Sequence, residues 1–189
     1  MRTLRAIPSY YLHYYYCTEH AVDAQTAGDH RAARVLDIER QLLEMYADPT
    51  LDHKPALLEE RGGAYYSEAA AGLVTSLLTG DGAHHYVDVR NNGTVRGLPD
   101  DAVVEVPALV GHSGATPLPV APFPPEMLGL IQAVTAYEEL AIEAARTGDR
   151  DVALRALLAH PLVREWDLAV PLLDELLAAN RAYLPTFAG

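Results

Sequence analysis

The chain of 189 residues has a single cysteine, Cys17. One thiol excludes an intramolecular disulfide framework and fits a reducing compartment. Positive charge is scarce as well: 14 Lys and Arg against 26 Asp and Glu leave a formal net charge of −12. Such a chain repels nucleic-acid phosphates and an anionic membrane surface. A few local basic residues still suffice to hold an anionic sugar phosphate. Long apolar runs are missing. None reaches transmembrane length, and the N-terminus has no hydrophobic stretch ahead of a small-residue cleavage site. Together these absences set the expectation of a soluble, cytoplasmic protein. Nowhere does a strand lead into a glycine-rich turn and helix; the clustered glycines outside turns, Gly62 and Gly63, follow a helical segment. A nucleotide-binding βαβ unit is therefore not expected.

What is present is apolar sequence enough for a sizeable core, since half of the residues are hydrophobic. The length suits one domain over 1–189. The spacing predicts a helix from Leu4 to about Ala27, interrupted near Pro8, and a second from His30 to Tyr46 capped by Asp29. In the second, Ala33, Leu36, Ile38, Leu42, Leu43 and Tyr46 are read as one apolar stripe. A short helix over Pro55–Glu60 and a longer one over Tyr65–Leu78 follow. The texture then turns to β: a strand through His84–Val89, a turn at Asn91-Asn92-Gly93, and a strand over Ala102–Val110. A tight turn at Gly111–Gly114 and a short edge strand at Leu118–Val120 come next. Pro122–Pro125 reads as a rigid connector. Helices return over Glu126–Thr147, stopped by Gly148, then Asp151–Ala159 and Asp167–Tyr183, separated at His160-Pro161. Helices, a small antiparallel sheet and helices again define an α+β, mostly helical fold.

Several side chains carry possible chemistry. Tyr65, near a helix start, reads on its own as a packing residue with its hydroxyl at a boundary. Gly62 and Gly63 beside it permit close backbone approach to a ligand, and the helix N-terminus is electropositive. Arg90 is either a surface arginine paired with Asp88 or Asp100, or a contact to a sugar or its phosphate. Asn91 and Asn92 are read as turn formers that accept left-handed backbone angles. Adjacent His84 and His85 point to opposite faces of a strand and cannot share a metal. His112 lies in a glycine turn and is expected to face solvent. No cluster has the spacing of a self-sufficient metal site, so no metal-binding or cofactor-binding residue is assigned. Cys17 is read as a buried small hydrophobe. The tyrosines Tyr10, Tyr11, Tyr14, Tyr15 and Tyr16 are read as core or subunit-interface packing, with Tyr11, Tyr14 and Tyr15 sharing a face.

The order of several motifs adds to this. Glu60-Arg61-Gly62-Gly63-Ala64-Tyr65-Tyr66-Ser67-Glu68-Ala69-Ala70 resembles the catalytic-tyrosine segment of glycoside hydrolase family 4, in particular its 6-phospho-β-glucosidase branch. Tyr10–Tyr16 is similar to that family's tyrosine-rich helix, Arg90-Asn91-Asn92-Gly93 to its Asn-Asn-Gly turn, and Ala102–Pro107 to the following strand. Thr147-Gly148-Asp149, His160-Pro161-Leu162-Val163 and Tyr183-Leu184-Pro185 complete its C-terminal order. The resemblance implies a C-terminal domain of a lactate/malate dehydrogenase-like enzyme that uses NAD⁺ and Mn²⁺. In that family the sugar's C3 hydroxyl is oxidised, a tyrosinate removes the proton at C2, the leaving group departs from C1, and the ketone is reduced again. The pair of carboxylates that serves most glycosidases has no part in that chemistry. The resemblance gives Tyr65 the role of base, with Arg90, Asn92, Gly62 and Gly63 shaping the substrate site for a 6-phosphoglucoside.

The family's metal ligands, a cysteine in Cys-Asn-x-Pro and a histidine in Asn-His, belong to the half that would precede Met1, as does the Rossmann domain. Cys17 does not occupy the ligand position. The expectation is therefore a substrate and oligomerisation domain, inactive alone, that forms a homo-oligomer and binds neither nucleic acid nor membrane. A non-catalytic oligomerisation remnant, or one half of a split enzyme with a separately encoded Rossmann half, is the alternative. A start lying upstream of Met1 is a further one.

Overall fold

A computed structural model describes residues 9–28, 31–62 and 65–187. Asp29, read as a helix cap, and the interruption near Pro8 lie outside these residues. The chain opens with a 3₁₀ turn, Tyr10–Leu12, and the short helix α1, His13–Tyr16, followed by α2, Thr18–Thr26. Helices α3 (Arg31–Tyr46), α4 (Leu57–Arg61) and α5 (Tyr66–Thr79) precede strands β1 (Ala83–Arg90), β2 (Val103–Gly111) and β3 (Gly114–Pro117). The last part holds α6 (Pro125–Thr147), α7 (Arg150–Ala159) and α8 (Trp166–Ala179), then 3₁₀ turns at Arg181–Tyr183 and Pro185–Phe187. The three strands pair in the order β1-β2-β3 as an antiparallel sheet. The fold is α+β and mostly helical, as the pattern of the sequence predicts.

Described residues 9–15, 86–108 and 117–187 form one compact unit, and 16–28, 31–62, 65–85 and 109–116 form another. In the first, β2 alternates strictly. Val104, Val106 and Ala108 are buried while Val103 and Glu105 face out. Val104 and Val106 join Val95 in a small core covered by Val89, Leu98 and Val120. Each valine buried in this way contributes about 1.5–3 kcal/mol relative to exposure. Helix α7 packs against α6 and α8 against α7. The α6–α7 corner is closed locally. Gly148 takes φ 70°, its N–H returns to the Ala144 carbonyl at 2.8 Å, and Asp149 Oδ1 accepts the N–H groups of Asp151 and Val152 at 2.8 and 3.2 Å. Arg150 and Asp174, 2.6 Å apart, link α7 to α8, and the Tyr137 ring meets His160 edge-on at 4.5 Å.

In the second unit α3 lies against α4, joined by Arg34–Glu60 at 2.7 Å and by Arg31 Nη2 donating to the Arg61 carbonyl at 3.3 Å. The buried face of α3 is Ile38 and Leu42, with Val35 half-buried. The stripe read from the sequence is thus corrected: Ala33, Leu36, Leu43 and Tyr46 are exposed. At about 100° per residue, Leu36 stands on the far side of the helix from Ile38. Helix α5 ends at Gly80. The Ser76 hydroxyl is buried there, 2.8 Å from His85 Nε2, and His112 Nδ1 reaches the Leu77 carbonyl at 3.3 Å.

Other readings change too. The helix expected to run to Ala27 breaks at Cys17, whose φ of −133° separates α1 from α2. Cys17 is exposed, not buried, because it sits at that break instead of on a packed face. The tyrosines of residues 10–16 are not core residues in this chain: Tyr10 and Tyr11 are more than three-quarters exposed, and Tyr14, Tyr15 and Tyr16 are exposed as well. Tyr11 lies in the 3₁₀ turn, so a continuous α-helical face with Tyr14 and Tyr15 does not form. The third strand is Gly114–Pro117 and not Leu118–Val120. It follows a two-residue turn, and Leu118 N–H, bonded to the Pro107 carbonyl at 2.8 Å, is its last ladder donor before Pro119, which has none.

Candidate functional site

Strand β1 positions one group of candidate residues. Its burial alternates, with His85, Val87 and Val89 turned inward and His84, Tyr86, Asp88 and Arg90 outward. The two histidines do point to opposite faces. Continued one residue, the same parity turns Asn91 inward, and it is fully buried. Its Nδ2 donates to the carbonyl oxygens of Val95, Leu98 and Pro99 at 3.1, 3.2 and 3.0 Å, and its Oδ1 accepts the Val95 N–H at 2.7 Å. Only Asn92 adopts the left-handed backbone expected of both asparagines, with φ 42°. The difference follows from parity: a side chain inside the loop meets main-chain carbonyls, while its neighbour faces solvent.

Arg90 is exposed and forms no ion pair with Asp88 or Asp100. Instead its Nε donates to the main-chain carbonyl of Asp100 at 3.4 Å, and the same carbonyl accepts the Asn92 N–H at 2.9 Å. The terminal nitrogens of Arg90 have no carboxylate partner among the described residues. A planar guanidinium held at one edge presents its other edge to an incoming anion.

A separate group of candidate residues belongs to the other unit. Tyr65 is the N-cap residue of α5, with φ −105° and ψ 2°, and is 81% exposed. It supplies no side-chain acceptor to the first turn of α5, where the acidic residue is Glu68. Gly62 ends α4 at φ 92° and ψ 170°, a conformation that a side chain tolerates poorly. A Cβ there would also lie 3.3 Å from Arg31 Nη2, the flexible end of a side chain that can yield, so the backbone angle is what calls for glycine. Arg31 carries no sequence signal beyond its position just after the Gly28 break. Gly63 lies outside the described residues. The structure thus pairs Gly62 with Tyr65 in one unit and Arg90 with Asn92 in the other.

A mostly helical α+β fold with a solvent-facing tyrosine at a helix start and a locked Arg-Asn-Asn-Gly turn is the class of structure defined so far. The chain belongs to glycoside hydrolase family 4, matching the family described as "Family 4 glycosyl hydrolase C-terminal domain" over residues 1–163. It is 40% identical over 191 residues to the "Probable 6-phospho-beta-glucosidase" of Bacillus subtilis (strain 168), covering 99% of this chain and 43% of that protein. Among solved structures it superposes on the Thermotoga maritima 6-phospho-beta glucosidase with NAD and glucose-6-phosphate at a TM-score of 0.89 and 39% identity. That match covers 97% of this chain and 44% of the other. The same enzyme with manganese, NAD⁺ and glucose-6-phosphate gives a TM-score of 0.88 at the same identity and coverage. The chain therefore spans less than half the length of these relatives.

Proposed function

We propose that the chain is the substrate and oligomerisation part of an NAD- and Mn²⁺-dependent 6-phospho-β-glucosidase, with Tyr65 as its general base. The observation that carries this reading is the Gly62–Ala70 segment, whose tyrosine stands exposed at the start of α5. The similarity to 6-phospho-beta-glucosidases across nearly the whole chain supports it.

The described residues do not fit a metal site: no group of three or more His, Cys, Asp or Glu side chains converges among them. Nor, among them, does a strand lead into a glycine-rich turn that would cradle a dinucleotide. The hydride acceptor and the Lewis acid accordingly fall to the part of the enzyme that this chain does not span. Within the chain, the Tyr65 oxygen receives the proton from the sugar carbon. A phenol serves as a base at neutral pH only beside positive charge, which the metal would supply. The free edge of Arg90 and the side chain of Asn92 hold the 6-phosphoglucoside, and Gly62 and Gly63 let the main chain come close to it. Exposed aromatic surface at Tyr10 and Tyr11 favours self-association into a homo-oligomer.

The test is hydrolysis of a chromogenic 6-phospho-β-glucoside with NAD⁺ and Mn²⁺ by this chain joined to the N-terminal part of the Bacillus subtilis relative. Turnover by the joined protein and none by the chain alone is the expected result. Undiminished turnover after Tyr65→Phe removes the base assignment. No turnover by a folded joined protein favours the non-catalytic module.

A further inference from the structure

Loop 91–102 is held far more firmly than a strand connection requires. The β2–β3 connection shows what suffices: two residues, His112 and Ser113, both exposed. The β1–β2 connection instead buries the amide of Asn91 completely, between exposed Arg90 and exposed Asn92. That amide meets four main-chain groups at 2.7–3.2 Å, its two N–H bonds being shared among three carbonyls. The loop is also gripped from outside. Gln132 Nε2 on α6 donates to the Gly97 carbonyl at 2.7 Å, and Leu128 on the same helix packs against Gly97. Next to Pro99 in the same loop, the Asp100 carbonyl anchors Arg90 Nε and the Asn92 N–H.

We infer that Asn91 and Gln132 are positioning residues for substrate binding, fixing loop 91–102 so that Arg90 and Asn92 are preorganised for an anionic sugar. This rests on the reading that Arg90 and Asn92 face the substrate. A flexible loop would have to order on binding; a loop already closed by its own amide does not, and the affinity saved is that ordering cost. Neither residue touches substrate in this scheme. Asn91 acts through the backbone of its two neighbours, and Gln132 through Gly97.

The experiment is a titration of the isotope-labelled chain with glucose 6-phosphate, following the Arg90 Nε–H and Asn92 N–H signals by NMR, well below the melting temperature of each variant. Saturable shifts at both signals are expected for the unsubstituted chain. Asn91→Ala raises the apparent Kd about tenfold or more and speeds hydrogen exchange at the Val95 and Asn92 amides. Gln132→Ala, on an exposed helix position, keeps the fold and raises Kd about threefold, and it decides the matter if Asn91→Ala does not fold. A purely structural role lowers the melting temperature and leaves Kd unchanged. Unaltered Kd in the folded variants overturns the inference and leaves the substrate reading in place. Absence of saturable shifts at Arg90 and Asn92 in the unsubstituted chain overturns that reading, and this inference with it.

Discussion

The turn at Arg90–Gly93 and the start of α5 at Tyr65 lie in the two most recognisable motifs of the chain, and they are built in opposite ways. The first is closed on itself. Asn91 is buried with every polar atom of its amide bonded, and the loop it ties reaches back to hold Arg90. The second is open: Tyr65 is 81% exposed and caps α5 with no side-chain bond. The contrast separates two kinds of functional position. Polar groups whose bonds are already made give geometry, and groups left without protein partners are available to chemistry.

The contrast breaks most sharply at Tyr65. In the joined enzyme, Tyr65→Phe is expected to lower turnover by about 10²–10⁴-fold, the usual worth of a general base, while shifting stability by no more than about 0.5 kcal/mol. Steady-state rates and a urea melt of the same sample check both halves of that statement. Asn91→Ala has the reverse profile in stability. It strands the Val95 N–H and three carbonyls, and unfolding is expected to become easier by about 2–4 kcal/mol in a urea titration.

A third motif extends the closed class. At Gly148 an added Cβ would run into the Thr186 carbonyl, and the φ of 70° already disfavours a side chain. Gly148→Ala is expected to cost about 1–3 kcal/mol and to release the Pro185–Phe187 turn, seen as faster amide exchange there. The smallest effect sharpens the open side. Asp81, which follows α5, has its carboxyl held below the usual aspartate range, chiefly by the Ala83 N–H and then by the Ser76 hydroxyl. Its folded value is depressed, so its stabilisation is present above the ordinary aspartate range near 4 and is lost as pH falls through the folded value. Asp81→Ala is expected to flatten slightly the acid limb of melting temperature against pH, with no change in slope above pH about 6.

Most elements were legible. The β character of His84–Val89 and Ala102–Val110 marks strands whose alternation appears only in their burial, and Gly148 stops α6 where the pattern says it must. Other features were not. A helical stripe including Leu36 and Leu43 fits the period loosely, and only burial in the folded chain selects Ile38 and Leu42. Cys17 has the size and polarity of a core residue, yet a backbone break places it in solvent. Asn91 offered a usable signal, since strand parity carried one residue past Arg90 turns it inward. What parity does not say is that three carbonyls and an amide wait there.

By itself, then, the sequence determined the α+β order of elements and the family. These depend on residue type and on short-range spacing, which are complete in one dimension. The tertiary structure alone decided which of two neighbouring asparagines is buried, that Arg90 leans on a carbonyl instead of a carboxylate, and that Gln132 reaches a loop 35 positions away. Those outcomes depend on where distant main-chain groups come to lie. A buried polar side chain must satisfy whatever donors and acceptors the folded backbone presents to it.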